Sequence, residues 1–251
     1  MDKYISQFSL KDIIKLESQD LQFLSLQNAW KKISAKSINK KIDQNLFLFL
    51  ILQNWLVSYQ IAWSWENRRE EFSQKIIKDR NKISKNLINK NNNIDRRYDF
   101  LTTSKYNKRI YNIKKSRLIR FDKFLEELDW QDDKFFLNYY QNMNWLLNKI
   151  SQIMDRPSDS KTLTFTVKMF WYWARIVFDK IIHYPQNISI PIDSRLKKIY
   201  EINTGKKLLN KAEDKKLVVR YFEDLSQKHN IPALHLDSIL RIDYWKKIKK
   251  S

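Results

Sequence analysis

The sequence lacks the residues that build tight turns and cross-links. It has no cysteine, one glycine and four prolines among 251 residues. The absence of cysteine excludes disulfides, thiolate zinc sites, a cysteine nucleophile and cysteine-ligated iron–sulfur clusters, and it fits a reducing, cytoplasmic setting. Because hairpin turns, phosphate-cradling loops and dinucleotide-binding fingerprints need glycine, we predict an all-α protein.

Long apolar segments are also missing. The longest apolar run, Leu46 to Leu52, is far shorter than the roughly 20 residues that span a bilayer. Residues 1–14 mix polar and apolar side chains and have no continuous apolar core of the kind that a secretory signal carries. We therefore expect no membrane partner and a cytoplasmic location.

Acidic residues are scarce relative to basic ones. The 28 Asp and Glu compare with 48 Lys and Arg, which gives a formal net charge of +20 and points to a polyanion such as nucleic acid or an acidic membrane surface. Between residues 100 and 120 the basic side chains alternate with Tyr106 and Tyr111, a pattern that suits either contact with a phosphate backbone or a solvated helix face. The basic residues of this segment are Lys105, Lys108, Arg109, Lys114, Lys115, Arg117 and Arg120.

Hydrophobic periodicity predicts a series of helices. One covers residues 21–30 and follows a carboxylate cap, and a second, over 44–65, is apolar nearly all round and should form the core of the N-terminal half. A third should run over 132–154. The run 89–93 contains no apolar residue and predicts an exposed loop.

A short polar break at 155–161 precedes a strongly apolar helix, which should begin at Thr162 and continue to about residue 182. The segment therefore predicts a helix, a tight connection and a second helix. Asp193 is placed to cap the next helix, and Gly205 is placed to end it in the left-handed conformation. Two further helices are expected over 207–229 and 234–249.

Lys161 is the first candidate for chemistry because it falls in the first turn of an apolar helix. Amides at a helix N-terminus carry partial positive charge, so an ammonium there is pushed toward the neutral amine that a lysine nucleophile needs. Asp193 is a candidate partner, and Lys168, two turns along the same helix, is the rival nucleophile. The simpler interpretations are that Lys161 only extends into water and that Asp193 only caps its helix. The spacing of Lys161 and Asp193 in the sequence does not distinguish these interpretations from a catalytic pair.

Other catalytic classes have little support in the sequence. The histidines have no spacing typical of a zinc or di-iron site, and no glycine-flanked serine marks a hydrolase nucleophile. We expect each histidine to be hydrogen-bonded or exposed, and we expect no metal and no cofactor. The three histidines are His183, His229 and His235.

Four ordered blocks of sequence resemble one known family. The blocks are Lys161 to Phe170, Tyr184-Pro185, Ile190 to Arg195 and Ile231 to Leu240. In this order they are similar to the archaeal 8-oxoguanine DNA glycosylase/lyase (AGOG) family, a divergent branch of the helix-hairpin-helix glycosylases. Weaker similarity extends over most of the remaining chain, except for the Lys/Asn-rich stretch.

The resemblance implies two helical subdomains that flank a cleft. Residues 1–130 would form the N-terminal subdomain, with the C-terminal helices in 206–251 packing on it. Residues 131–205 would form the helix-hairpin-helix subdomain, and the connection at 155–161 would be its hairpin.

The resemblance also implies the activity and its residues. Lys161 would be the Schiff-base nucleophile and Asp193 the helix-hairpin-helix aspartate of a repair enzyme that excises 8-oxoguanine and then cleaves the strand by β-elimination. The implied partner is double-stranded DNA containing 8-oxoguanine, with single-stranded DNA left open, bound by a monomer in the nucleoid of a prokaryotic cell. The positions that match the base pocket are Gln22, Ser58, Trp65, Phe165, Pro191, Asp237 and Arg241, the last standing where members usually carry tryptophan.

Two other function classes compete with this one. A non-catalytic nucleic-acid-binding helical protein would explain the charge equally well. A membrane-surface or scaffold protein fits less well, because no segment divides cleanly into a basic and an apolar face.

Overall fold

The computed structural model of the protein describes residues 1–58, 65–88, 104–106, 109–209 and 212–249. Regular structure within these ranges is helical, without a strand, which confirms the all-α prediction. No helix of the described part is long and apolar enough to cross a membrane. The predicted loop at 89–93 lies outside the described residues.

The described residues form a series of helices along the chain. In order they are α1 (Asp2–Ile5), α2 (Leu10–Ser18), α3 (Leu21–Ser34), α4 (Lys40–Val57), α5 (Trp65–Ile88), α6 (Tyr111–Phe121), α7 (Lys123–Glu127), α8 (Phe135–Gln141), α9 (Met143–Met154), α10 (Lys161–Phe178), α11 (Ser194–Thr204), α12 (Ala212–Lys228), α13 (Ala233–Ser238), a π-helical turn (Ile239–Tyr244) and α14 (Trp245–Ile248).

Local capping explains where several helices begin and end. The Ser9 hydroxyl accepts from the Asp12 amide at 3.2 Å and the Ser9 amide donates to the Asp12 carboxylate at 3.0 Å, so a capping box opens α2. The Asn39 side chain accepts from the Ile42 amide at 3.2 Å and opens α4. Gly205 ends α11 with φ of 69°, the left-handed cap that its position predicts.

Several predicted helices have different limits in the structure. The helix predicted over 44–65 begins earlier, at Lys40, because Asn39 supplies the N-terminal cap. It ends at Val57. The helix predicted over 132–154 is two helices, since Asn142 leaves the helical region with φ of −129° and ψ of 65°.

The helix predicted to reach residue 182 ends at Phe178, and Asp179 follows it with φ of 49°. The Tyr140 side chain then binds the backbone beyond the end of α10. Its hydroxyl donates to the Lys180 carbonyl at 2.6 Å and accepts from the Ile182 amide at 3.2 Å. These contacts replace the helical hydrogen bonds that periodicity predicts for residues 179–182.

Backbone contacts divide the chain into two compact units. The first unit contains 1–20, 157–165 and 183–251, and the second contains 21–156 and 166–182. The first and last helices share a unit. The limits at 130 and 205 that the sequence suggests for two subdomains do not coincide with these units, because α4 packs on both α6 and α8 and residues on either side of 130 therefore share a core.

The second unit is built around α4, which is buried on all sides as its composition predicts. The Phe47 ring lies 5.0 Å from the Trp30 ring and 3.6 Å from the Trp173 ring, centroid to centroid. The Asn45 amide donates to the carbonyls of Asp129, Trp130 and Asp132 at 3.3, 3.2 and 2.9 Å. One buried amide thus satisfies three backbone acceptors in the connection that precedes α8.

The first unit has a separate apolar core. Ile13 of α2, Leu196 of α11, Phe222 of α12 and Leu240 of the π-helical turn belong to one buried cluster. This cluster holds together the elements that carry the charged residues of the blocks Ile190 to Arg195 and Ile231 to Leu240.

Candidate functional site

Lys161 is the first residue of α10, one position before the predicted start at Thr162, and lies in the first turn as predicted. Its side chain keeps exposed surface, but desolvation by the surrounding protein lowers the pKa of its amine. The charges of Arg241 and Arg195 lower that pKa further, whereas the Asp193 carboxylate opposes them. The net effect is a lowered pKa, which increases the fraction of neutral amine near pH 7.

Asp193 caps α11 and stays ionised. One carboxylate oxygen accepts from the backbone amides of Arg195 and Leu196, each at 3.0 Å. The other oxygen accepts from the Arg241 guanidinium and from Arg195 Nε, the latter at 3.3 Å. Burial alone would raise the pKa of Asp193, but these partners outweigh it and the pKa is lowered.

Arg241 connects three predicted site residues. Its guanidinium donates to the Asp193 carboxylate, to the Asp237 carboxylate and, at 2.7 Å, to the Pro191 carbonyl. The Asp237 side chain is fully buried and the Arg241 side chain is 10 % exposed. The Arg241 guanidinium carbon also lies 6.0 Å from the centroid of the Phe165 ring, at the outer limit of a cation–π contact.

Six of the predicted site residues therefore belong to one compact unit. They come from the first turns of α10, the stretch before α11, and the α13 and π-helical segment. These residues are Lys161, Phe165, Pro191, Asp193, Asp237 and Arg241.

Three predicted base-pocket residues belong to the second unit. Gln22 is half-buried in the first turn of α3. Ser58 is buried just after α4, and its hydroxyl donates to the Asn54 carbonyl at 2.6 Å. Trp65 begins α5, and its side chain lies outside the described part of the chain.

Lys168, the rival nucleophile, has a different environment. Its side chain is buried, with 4 % of the residue exposed, and its Nζ lies 5.9 Å from the centroid of the Tyr172 ring. A lysine enclosed in this way is poorly placed to receive a sugar carbon, so burial favours Lys161 over Lys168.

A buried polar network beside Asp237 was missed by the sequence reasoning. The Glu17 carboxylate accepts from the Ser238 hydroxyl at 2.7 Å and is bonded to His235 Nδ1 at 2.9 Å. The other nitrogen of His235 lies 3.4 Å from His183 Nδ1. His235 lies in the block Ile231 to Leu240 and Glu17 lies outside the four blocks, and nothing in their spacing indicates that they meet.

The histidines thus form hydrogen bonds, as predicted. His229 Nε2 is 2.7 Å from the Asp2 carboxylate. Burial, followed by the neighbouring His235, lowers the pKa of His183. Among the residues that the structure describes, no group of three His, Asp or Glu side chains is arranged to hold a metal ion.

The basic segment before residue 120 has a structural role in part. Arg117 donates to the Leu56 carbonyl at 3.2 Å and Arg120 donates to the Met154 carbonyl at 2.9 Å, so both cap C-terminal ends of other helices. Lys114 is fully buried. Burial excludes both alternatives that the sequence offered, DNA contact and a solvated face, for Lys114, whereas Arg117 is half-buried and Arg120 is exposed. Lys108 lies outside the described residues.

Comparison with known proteins assigns the family. The sequence profile of the family described as "AGOG: N-glycosylase/DNA lyase" matches residues 2–249. An N-glycosylase/DNA lyase of Methanococcus maripaludis is 36% identical over 224 residues, which cover 89% of this chain and 78% of the relative. Another from Methanopyrus kandleri is 32% identical over 239 residues, covering 94% of this chain and 86% of the relative.

A solved structure shows the same fold. The 8-oxoguanine DNA glycosylase Pa-AGOG of Pyrobaculum aerophilum, crystallised with 8-oxoguanosine, superposes with a TM-score of 0.73 at 19% identity, covering 95% of this chain and 84% of that chain. With the profile match over nearly the whole length, these relatives show that the chain belongs to the AGOG family of N-glycosylase/DNA lyases.

Proposed function

We propose that the protein is a DNA repair enzyme that removes 8-oxoguanine and then cleaves the strand, with Lys161 as the nucleophile. One observation carries the proposal: an amine with a lowered pKa stands at a helix N-terminus, where the Asp193 carboxylate acts on it. A protein that only binds DNA needs neither feature. Family membership and this geometry together favour the enzyme over a non-catalytic nucleic-acid-binding protein.

The proposed reaction begins when the damaged nucleotide turns out of the duplex, at a cost of a few kcal/mol that contacts in the pocket offset. The neutral Lys161 amine attacks C1′ of the deoxyribose, and the base leaves with the electron pair of its bond to C1′. The departing base accepts one proton from the nitrogen, and the sugar then opens at O4′, which takes a proton from water, to give a protonated Schiff base. Removal of a C2′ proton then expels the 3′ phosphate and cleaves the strand.

Asp193 has the properties of an electrostatic stabiliser. Its lowered pKa makes it a weak proton acceptor, whereas its fixed negative charge suits the positive charge that develops on the sugar as the base departs. Two backbone amides hold the carboxylate in one orientation, so little reorganisation is needed during the reaction.

The substrate assignment draws on the base-pocket positions and on the solved relative. The relative's structure contains 8-oxoguanosine, and Phe165, Pro191, Asp237 and Arg241 form one group in this protein. We assign Gln22, Ser58 and Trp65 to the same base pocket from the sequence resemblance. The enzyme is proposed to act as a monomer on nucleoid DNA in the cytoplasm, with duplex DNA as its substrate.

The connection between α9 and α10 is proposed to contact the DNA backbone. Asp155 has φ of 50°, and the Arg156 amide donates to the Ser151 carbonyl at 3.1 Å, so the chain turns sharply after α9. The N-terminus of α10 follows, and its partial positive charge suits a phosphate.

Product analysis tests the proposed function. An end-labelled duplex with one 8-oxoguanine is incubated with the protein in EDTA, beside an undamaged duplex of the same sequence. We expect release of the oxidised base, strand cleavage on its 3′ side, and a covalent adduct after borohydride reduction, all absent from the undamaged duplex. Tight binding to both duplexes without base release would show a non-catalytic binder instead.

A further inference from the structure

Arg241 makes the most extensive set of charged contacts in the site. Its Nε donates to Asp237, one terminal nitrogen donates to Asp193, and the other donates to the Pro191 carbonyl at 2.7 Å. These partners come from α13 and from the stretch before α11. A planar guanidinium can hold three acceptors at fixed angles in this way, and an ammonium cannot.

The backbone around Arg241 is unusual. The residue lies in the π-helical turn Ile239–Tyr244, which continues α13. Such turns change the direction of the following side chains and often occur at functional sites. Here the turn places Arg241 against Asp237, one helical turn before it, and against Asp193 from a different element.

We propose that Arg241 is the positioning residue of the site: its guanidinium fixes the Asp193 carboxylate and supplies the buried positive charge that acts on the Lys161 amine. This inference rests on the proposed function of Lys161 as nucleophile. It assigns to Arg241 a role in the chemistry that does not depend on contact with the base.

The charges around Lys161 explain why this role is needed. Asp193 and Asp237 both act on the amine and, without a counter-charge, two buried carboxylates would favour the charged ammonium. Arg241 and Arg195 are the cations that oppose them, together with the N-terminal amides of α10. The Arg241 side chain is 10 % exposed and that of Arg195 is 41 % exposed. Solvent therefore screens Arg195 more strongly.

The test measures the amine itself, without DNA. The full-length protein reacts with a small amine-reactive anhydride at a series of pH values, and mass spectrometry gives the extent of labelling at Lys161. In Arg241→Gln we expect the pKa of Lys161 to rise, so that its labelling rate at pH 7 falls by about tenfold. In Arg195→Gln we expect a fall of less than about threefold, and in Lys198→Gln, an exposed residue on α11, no change.

Arg241→Lys separates the two parts of the role. It keeps the positive charge, so Lys161 labelling should stay within about threefold of the wild type. It loses the planar guanidinium, whose donors bind several acceptors at fixed angles, so Asp193 loses its fixed orientation. Base excision should therefore fall by about 10- to 100-fold. Circular dichroism and thermal unfolding establish that each variant is folded.

Unchanged labelling of Lys161 in a folded Arg241→Gln protein would overturn the electrostatic part of the inference. If Arg241→Gln does not fold, wild-type labelling and wild-type excision together in Arg241→Lys would overturn the positioning part. Because labelling needs no DNA, failure of the wild type to release 8-oxoguanine would count against the proposed function alone.

Discussion

The two compact units bury different kinds of side chain. In the first unit, ionised or ionisable side chains lie inside and bind one another: Asp193 and Asp237 bind Arg241, and Glu17 binds His235. In the second unit the interior is dominated by aromatic rings around α4 and α10, and most of its buried polar groups are amides and hydroxyls. The helix α10 contributes its first residues to one unit and the remainder to the other.

This difference predicts that the first unit mainly serves the reaction and that the second unit mainly stabilises the fold. Buried charges contribute little net stability, because the desolvation of each charge offsets its attraction to its partner. Buried aromatic rings contribute a large share of core energy. We therefore expect substitutions that preserve the hydrogen bonds of the first unit to affect chemistry more than stability, and truncations in the second unit to affect stability first.

The largest effect is expected for Asp193→Asn. The substituted side chain can still accept from the two capping amides, but it has no negative charge for the developing sugar cation. We expect 8-oxoguanine excision to fall by roughly 10²- to 10⁴-fold with little change in DNA affinity. Single-turnover excision and fluorescence anisotropy measure the two quantities. Asp224→Asn, an exposed change on α12, is the matched control, and equal losses of affinity and turnover would argue against a catalytic role.

A substitution in the second unit should show the opposite balance. Trp173 is fully buried and its ring contacts Phe47, so Trp173→Ala should lower the free energy of unfolding by about 3–5 kcal/mol. Trp145 is 62% exposed, and Trp145→Ala should change it by less than about 0.5 kcal/mol. Urea denaturation measures both values. Similar losses from the two tryptophans would contradict the aromatic core of this unit.

A smaller effect should appear in the pH dependence of stability. The folded-state pKa of Asp193 is lowered from its ordinary value of 3.8, so the charged carboxylate contributes stability above that pH. This contribution is lost as the pH falls through the lower, folded-state pKa. At pH 7 we expect Asp193→Asn to be less stable than the wild type by about 1–3 kcal/mol.

Urea denaturation of both proteins between pH 7 and pH 2.5 checks this prediction. The difference between the two unfolding free energies should shrink as the pH falls below 3.8, because the unfolded wild-type carboxyl then takes up a proton more readily than the folded one. A gap that stays constant over the whole range would show that the charge of Asp193 does not stabilise the fold.

Local signals in the sequence were sufficient for much of the fold. The apolar periodicity of α10, the cap at Asp193 and the left-handed Gly205 each depend on a few neighbouring residues. The same local rules failed at Asn142, where the apolar pattern continues but the backbone leaves the helical region. They also failed at the π-helical turn, because helical periodicity does not distinguish one extra residue in a turn.

The site could be predicted only in part. The position of Lys161 at a helix start and Asp193 as its candidate partner follow from sequence, and the resemblance supplied Asp237 and Arg241. The contacts among them could not be predicted, because Arg241 meets Asp193 across 48 positions of chain. The same holds for Glu17 and His235, which are separated by 218 positions. Such pairs form only through tertiary packing, and no local pattern in the sequence predicts them.

Identification of the lysine that is trapped on DNA tests the central claim most directly. Wild type, Lys161→Gln and Lys168→Gln are each reduced with borohydride on a duplex containing 8-oxoguanine, and the adduct is located by mass spectrometry. We expect an adduct on Lys161 in the wild type and in folded Lys168→Gln, and none in Lys161→Gln. An adduct that persists in Lys161→Gln, or that maps to Lys168 in the wild type, would contradict it.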